Sequence, residues 1–143
     1  MAEDQKARDV RLVGAIVFVQ DLDKSVGFYS ELLAFDVTNR STTAALLASK
    51  DGSRLILRSM GGNATHTLGG IGVQYLIWTV GSVEELARCE QVLKKRSACT
   101  GTSSEHGLTL VEGRDPDGLT VMICYPAPGD VHWRDLPARI YAW

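Results

Sequence analysis

The sequence lacks most of the features that would assign a function directly. It has no basic excess: 15 Lys and Arg stand against 17 Asp and Glu, giving a formal net charge of −2, so nothing in the balance suits a nucleic-acid backbone. It has no long run of like charge. The longest cationic run, Lys94-Lys95-Arg96, reads as the solvated end of a helix, where cations complement the helix dipole. The three cysteines, Cys89, Cys99 and Cys124, are widely separated, odd in number and without C-x-x-C pairing. That argues against a disulfide framework or a zinc knuckle and makes a reducing, cytoplasmic compartment the expectation. No apolar run is long enough to span a bilayer, and the charged segment Met1–Lys6 has no apolar h-region. Neither a membrane span nor a signal peptide is therefore expected.

What is present is an ordinary globular composition. The chain has 143 residues, 45% hydrophobic and 22% charged, enough for one domain or for two small halves sharing a core. Residues 1–10 read as a polar tail. Residues 11–20 are apolar and rich in β-branched residues, the mark of a buried strand. Asp21 or Asp23 is placed to cap a helix, and Val26, Phe28, Tyr29, Leu32 and Leu33 recur at helical spacing up to Ala34. Three short strands, Phe35–Arg40, Thr43–Ala48 and Arg54–Arg58, follow between turn-prone segments. These elements make a first module over residues 11–58. A Gly-rich connector occupies residues 59–70.

The pattern then repeats over residues 71–126. Ile71–Val80 is a strand, and Ser82-Val83-Glu84-Glu85 reads as a capping box in which Ser82 and Glu85 satisfy helix N–H groups reciprocally. Leu86, Cys89, Val92 and Leu93 form the apolar stripe of a second helix. Residues 97–105 and 107–114 read as polar-faced strands, Asp115-Pro116-Asp117-Gly118 as a β-turn, and Thr120–Tyr125 as the last strand. Leu22 and Val83 stand at equivalent helix starts, and Asp51-Gly52 and Asp117-Gly118 at equivalent last turns. An internal repeat of this size says more than any single strand assignment. The fold class is α+β: two βαβββ modules forming a curved mixed sheet, or cup, with helices on the outside. Residues 127–143 form a tail with Trp133, Tyr141 and Trp143. A disordered terminus is poor in aromatics, so the tail is expected to dock on the domain, on a second subunit or across the cup mouth.

Two blocks carry a family resemblance. One is Val19-Gln20-Asp21-Leu22-Asp23-Lys24-Ser25-Val26-Gly27-Phe28-Tyr29, with Leu32-Leu33-Ala34-Phe35 after it; the other is Asp115-Pro116-Asp117-Gly118-Leu119. With the repeat, they make the chain resemble the vicinal oxygen chelate superfamily, which includes glyoxalases, bleomycin-resistance proteins and extradiol dioxygenases. The resemblance implies a cup. In metal-using members, four His or Glu ligands come from the first and last strands of the two modules. Carried over residue by residue, those positions fall on Gly14, Tyr75, Met122 and Ile56. Glycine and isoleucine offer no donor atom, and a thioether is a poor ligand for hard divalent cations. The three histidines, His66, His106 and His132, fall in the connector, before a strand and in the tail. The resemblance therefore implies a member without the metal site and without another cofactor.

Strand parity places Ile16 and Phe18 on one face with Gly14, Arg58 with Ile56, Ile77 with Tyr75, and Thr120 and Cys124 with Met122. Val13, Ala15, Val17, Val19, Leu55, Leu57, Leu76, Trp78, Val121 and Ile123 take the opposite parity and should face the helices. The cup face is then apolar, with one phenol, one thioether and one guanidinium, a mix suited to a planar or greasy small molecule. The ligand-binding candidates are Ile16, Phe18, Ile56, Arg58, Tyr75, Ile77, Thr120, Met122, Cys124 and, from the tail, Trp133. A cup filled by its own side chains is the alternative. Gly14 argues against it, if the missing side chain leaves room on the floor.

The leading function is a metal-free protein of the antibiotic self-resistance type that sequesters an aromatic or drug-like metabolite. A metal-independent isomerase, lyase or hydrolase on the same scaffold is the second reading, but the cup face read from the sequence shows no His, Asp or Glu for acid–base work. A metal-dependent glyoxalase or dioxygenase with non-standard ligands is the third. The partners implied are a small hydrophobic molecule and, by analogy with relatives of this length, a second copy in a homodimer; no nucleic acid or membrane is implied.

Overall fold

A computed structural model describes residues 10–61, 72–129 and His132. Ten elements follow one another: β1 (Gly14–Val19), α1 (Leu22–Leu33), β2 (Asp36–Arg40), β3 (Ala44–Ala48), β4 (Arg54–Ser59), β5 (Tyr75–Thr79), α2 (Val83–Lys95), β6 (Cys99–Glu105), β7 (Leu108–Arg114) and β8 (Thr120–Tyr125). They form two four-stranded sheets of identical topology, ordered β1-β4-β3-β2 and β5-β8-β7-β6. In each, the first strand runs parallel to the last and the other pairings are antiparallel. The two-module α+β fold expected from the repeat is therefore present.

Local chemistry sets the ends of the helices. The Asp21 carboxylate accepts from Lys24 N at 3.2 Å and starts α1. Ala34, in the left-handed region at φ 55°, ends it. Ser82 caps α2 by accepting from Glu85 N at 3.1 Å. The reciprocal half of the expected capping box does not form. The Glu85 carboxylate instead takes the Arg88 Nε at 2.5 Å, and Arg88 donates onward to the carbonyls of Glu31 and Leu32 at 2.8 and 3.0 Å. Those carbonyls are among the last of α1, which have no partner within their own helix. A guanidinium from the second module therefore caps a helix of the first, where the helix dipole favours a cation.

The helices pack on each other, and each packs on its own sheet. One core spans both modules, joining Phe28, Tyr29, Leu32, Leu55 and Leu57 with Leu86, Leu93, Val121 and Ile123. The helix-facing parity holds for Val19, Leu55, Leu57, Val121 and Ile123, which are buried, and for Ala15, Val17 and Trp78, which pack against that core. Val13 departs from it: it precedes β1 and is exposed. The strand expected over 71–80 is shorter, and β7 is not polar-faced, since Leu108, Leu110, Val111 and Gly113 are all buried.

A second fastening joins the modules through the buried side of α1. The buried Tyr29 hydroxyl donates to Asp115 Oδ2 at 2.6 Å. Asp115 Oδ1 accepts from Asp117 N and Leu119 N, both at 2.9 Å, which closes the turn that Gly118 completes at φ +92°. Gln20 N donates to Asp117 Oδ1 at 3.3 Å. The two sequence blocks that carry the family resemblance thus bind each other. Burial, and then the neighbouring Asp115 charge, hold the Tyr29 phenol protonated far above its ordinary range. No helix among the described residues is long and apolar enough to cross a membrane.

Candidate functional site

The expected cup residues are located by the strand register. On the first sheet, Gly14 pairs with Arg54, Ile16 with Ile56 and Phe18 with Arg58. On the second, Tyr75 pairs with Thr120, Ile77 with Met122 and Thr79 with Cys124. Each set lies on the sheet face away from the helices, so the structure brings the candidates together as two groups, one per sheet. Trp133 lies outside the described residues.

The two faces differ in how they are covered. On the first sheet Ile16 is 65% and Phe18 61% exposed, and Arg58 is exposed as well. On the second, Met122 is 2% and Cys124 0% exposed, in a small cluster with Leu108 and Leu110 against which Tyr75 packs. Burial pushes the Cys124 thiol up, and its Sγ lies 3.3 Å from the Trp78 carbonyl. That is the environment of an inert thiol rather than a nucleophile.

Gly14 does not leave spare volume. A Cβ built there would lie 2.8 Å from the Arg54 carbonyl oxygen. The glycine permits a close approach between backbones. The same contact bears on a metal. The position that would carry the first-strand ligand has no room for a side chain without a shift of β4. Ile56 has no donor atom, and Met122 offers only a buried thioether. Among the described residues no three His, Cys, Asp or Glu side chains gather as a metal-binding group. His106 sits in the β6–β7 turn, and its carbonyl lies 3.0 Å from His132 Nε2. The residues at the family's ligand positions do not fit a divalent metal.

Polar groups on this face are absent from the sequence reading, among them Glu112 and, two residues on, Arg114, which pairs with Thr120. Glu112 on β7 pairs with Met122. Its neighbours in the chain, Val111 and Gly113, face the helices: Val111 belongs to the main core, and a Cβ at Gly113 would meet the Leu93 side chain. Glu112 therefore takes the cup side with Leu110, half-buried, and Thr100 Oγ1 lies 3.4 Å from its Oε2. The alternation Leu108, Leu110, Glu112 was a usable signal.

Two clefts lie away from these faces. One, of about 910 Å³, surrounds the start of α1 and includes Asp21, Asp23 and Arg40. The other, of about 830 Å³, runs between the modules past Phe35, Trp78 and Arg88. Among its charged groups, Glu85 is engaged with Arg88 and Asp51 within its own turn. The first cup face is open, whereas Met122 and Cys124 on the second are covered.

Comparison with known proteins adds the family. The model of the Glyoxalase/Bleomycin resistance protein/Dioxygenase superfamily matches residues 11–123. Among solved structures, a glyoxylase/bleomycin resistance protein/dioxygenase domain from Frankia sp. EAN1pec superposes with a TM-score of 0.69 at 24% identity, covering 80% of this chain and 96% of that one. A glyoxalase/dioxygenase from Nostoc punctiforme gives 0.68 at 17%, covering 80% and 89%. A lactoylglutathione lyase from Agrobacterium tumefaciens gives 0.63 at 12%, covering 82% and 94%. At these identities the likeness is one of fold. No curated protein matches the chain in sequence.

Proposed function

The chain belongs to the glyoxalase/bleomycin resistance protein/dioxygenase superfamily, and we propose that within it this protein is a metal-free binder that sequesters a planar aromatic or drug-like small molecule. The observation that carries the reading is the open apolar face of the first sheet. Ile16 and Phe18 stand exposed, beside Ile56, on strands where apolar side chains of this size are normally covered. Such a face is suited to ligand burial and stacking, and the residues around it offer no metal ligand set.

In this reading the cup takes one wall from each of two chains. By register the first face carries Arg54, Arg58 and Asp36, and the second Glu112, Arg114 and, at the hairpin, Glu105. β1 and β5 each end their sheet with one edge unpaired among the described residues, and an open edge invites pairing. The protein is accordingly a homodimer. Its three unpaired thiols suit a reducing compartment, the cytoplasm.

Calorimetric titration with a panel of aromatic antibiotics and flat aromatic metabolites tests the function. Saturable binding to the wild type, lost in Phe18→Asp, is the expected result. Absence of binding across a broad panel would contradict it. A second reading, metal-independent catalysis, has one observation in its favour: Glu112 supplies an acid–base group on the same face as Tyr75. Chemical change of a bound panel member, abolished in Glu112→Gln, would favour that reading over sequestration.

A further inference from the structure

The outer face of the second sheet is buried deeper than the described residues around it explain. Leu108, Leu110, Met122 and Cys124 form a cluster separate from the main core, none more than 7% exposed. The helices lie on the other side of the sheet, against Val111, Val121 and Ile123. A sheet is one layer, and its side chains leave water only when a second layer covers them. Among the described residues, the apolar side chain that packs on the cluster is Tyr75. Tyr75 pairs with Thr120, whereas Leu110 pairs with Cys124, four residues further along β8. That separation is about 13 Å at the rise of a strand, farther than one phenol reaches. The Leu108 end of the wall therefore takes its cover from elsewhere.

The chain itself arrives at that end. β8 stops at Tyr125, and His132 comes back to the β6–β7 hairpin. Its Nδ1 accepts from Gly129 N at 2.8 Å, and its Nε2 donates to the carbonyl of His106 at 3.0 Å, two residues before Leu108. Residues 133–143 follow from this anchor and reach about 36 Å when extended, well over the length of the wall. They carry Trp133, Leu136, Ile140, Tyr141 and Trp143. The other segments outside the described residues carry fewer large apolar side chains: Met1 in residues 1–9, and Leu68 and Ile71 in residues 62–71. We infer that the C-terminal segment 133–143 docks on the second wall of its own chain, with its apolar side chains against Leu108, Leu110 and Cys124. The second wall is then closed from within, and the first, with Ile16 and Phe18, is the one left open. The inference stands whether or not the first wall binds a ligand.

Cys124 reports on this wall from beneath the cover. Cys89 is an internal control, because it is buried in the main core on the other side of the sheet. The folded protein is alkylated with iodoacetamide, and the modified cysteines are located by mass spectrometry. Five substitutions, Trp133→Ser, Leu136→Ser, Ile140→Ser, Tyr141→Ser and Trp143→Ser, are made together in the full chain. The inference predicts that they speed Cys124 labelling by about tenfold or more and leave the Cys89 rate unchanged, since access limits the reaction of a buried thiol. An unchanged Cys124 rate overturns it. So does fast Cys124 labelling of the wild type on dilution, which would assign the cover to a second copy. If both cysteines react faster together, the variant has unfolded and the wild type decides. Nuclear Overhauser contacts between the Leu108 or Leu110 methyls and the rings of Trp133, Tyr141 or Trp143 are then expected, and their absence contradicts the inference.

Discussion

The two modules share a topology and differ in almost everything that topology leaves open. The last turns of the two modules are equivalent, with Ser49 at the position of Asp115 and Asp51 at that of Asp117. The Asp51 carboxylate accepts from Ser49 and from Ser53 N within its own surface turn, which holds it below the usual carboxylate range. The Asp115 carboxylate closes its turn and also receives the Tyr29 hydroxyl from the other module. The equivalent first-strand positions hold Gly14, pressed against a backbone carbonyl, and Tyr75, which packs on the second sheet's outer cluster. The equivalent last-strand positions hold half-buried Ile56 and buried Met122. The repeat fixes where each strand lies. The second module then supplies the fastening and a finished, buried wall, while the first supplies an open one.

The largest effect should come from the fastening. Asp115→Ala leaves the Tyr29 hydroxyl and two backbone N–H groups without an acceptor, and a loss of about 3 kcal/mol is expected from denaturant unfolding. Ser49→Ala, the change at the equivalent position of the other module, should leave the unfolding midpoint close to where it is. Equal effects would break the comparison. Next is the first-strand pair. Gly14→Ala drives a Cβ into the Arg54 carbonyl and should cost about 1–3 kcal/mol, whereas Tyr75→Phe, which keeps the ring, should cost less. A Gly14→Ala protein as stable as the wild type would show that the close approach is dispensable.

The open and closed walls are compared through association. Phe18→Ser should weaken the proposed dimer by about tenfold or more in sedimentation, because it removes an exposed apolar contact, with little change in the stability of the separated chain. Met122→Ser should do the reverse and lower stability. The smallest effect concerns Glu31, on the surface between the helices. Its hydrogen bond from Arg96, at 2.8 Å, holds its pKa below the usual value. A lowered carboxylate pKa contributes stability that is present at neutral pH and disappears as pH falls through the folded value. Thermal unfolding of Glu31→Gln should therefore differ slightly from wild type at neutral pH and coincide with it in acid.

Much of this was legible in the sequence because it is local. The Asp21 cap, the stop at Ala34, the Ser82 cap and the Asp115–Gly118 turn are each set by neighbours within a few residues, and the repeat carried each assignment from one module to the other. Parity along single strands also placed Ile16, Phe18, Tyr75 and Met122 on the face away from the helices. What was not legible depends on contacts across the chain. Nothing in the spacing of Tyr29 and Asp115 announces a bond between them, and the capping role of Arg88 on α1 appears only when the helices meet. Gly14 read as spare room because the sequence does not show how near the Arg54 carbonyl comes. Glu112 is hidden for a different reason: Thr109, Glu112 and Arg114 give β7 a polar look, although Leu108 and Leu110 supply the pattern that places Glu112 on the cup side.

The central claim is that this cup binds its ligand without a metal. Calorimetric titration of the aromatic panel into protein purified without chelator, and again after exhaustive dialysis against EDTA, measures that directly. The account predicts the same affinity and the same stoichiometry in both samples. Loss of binding on chelation, restored by nickel, zinc, iron or manganese, would contradict it and would place a metal where Gly14, Ile56, Tyr75 and Met122 now argue against one.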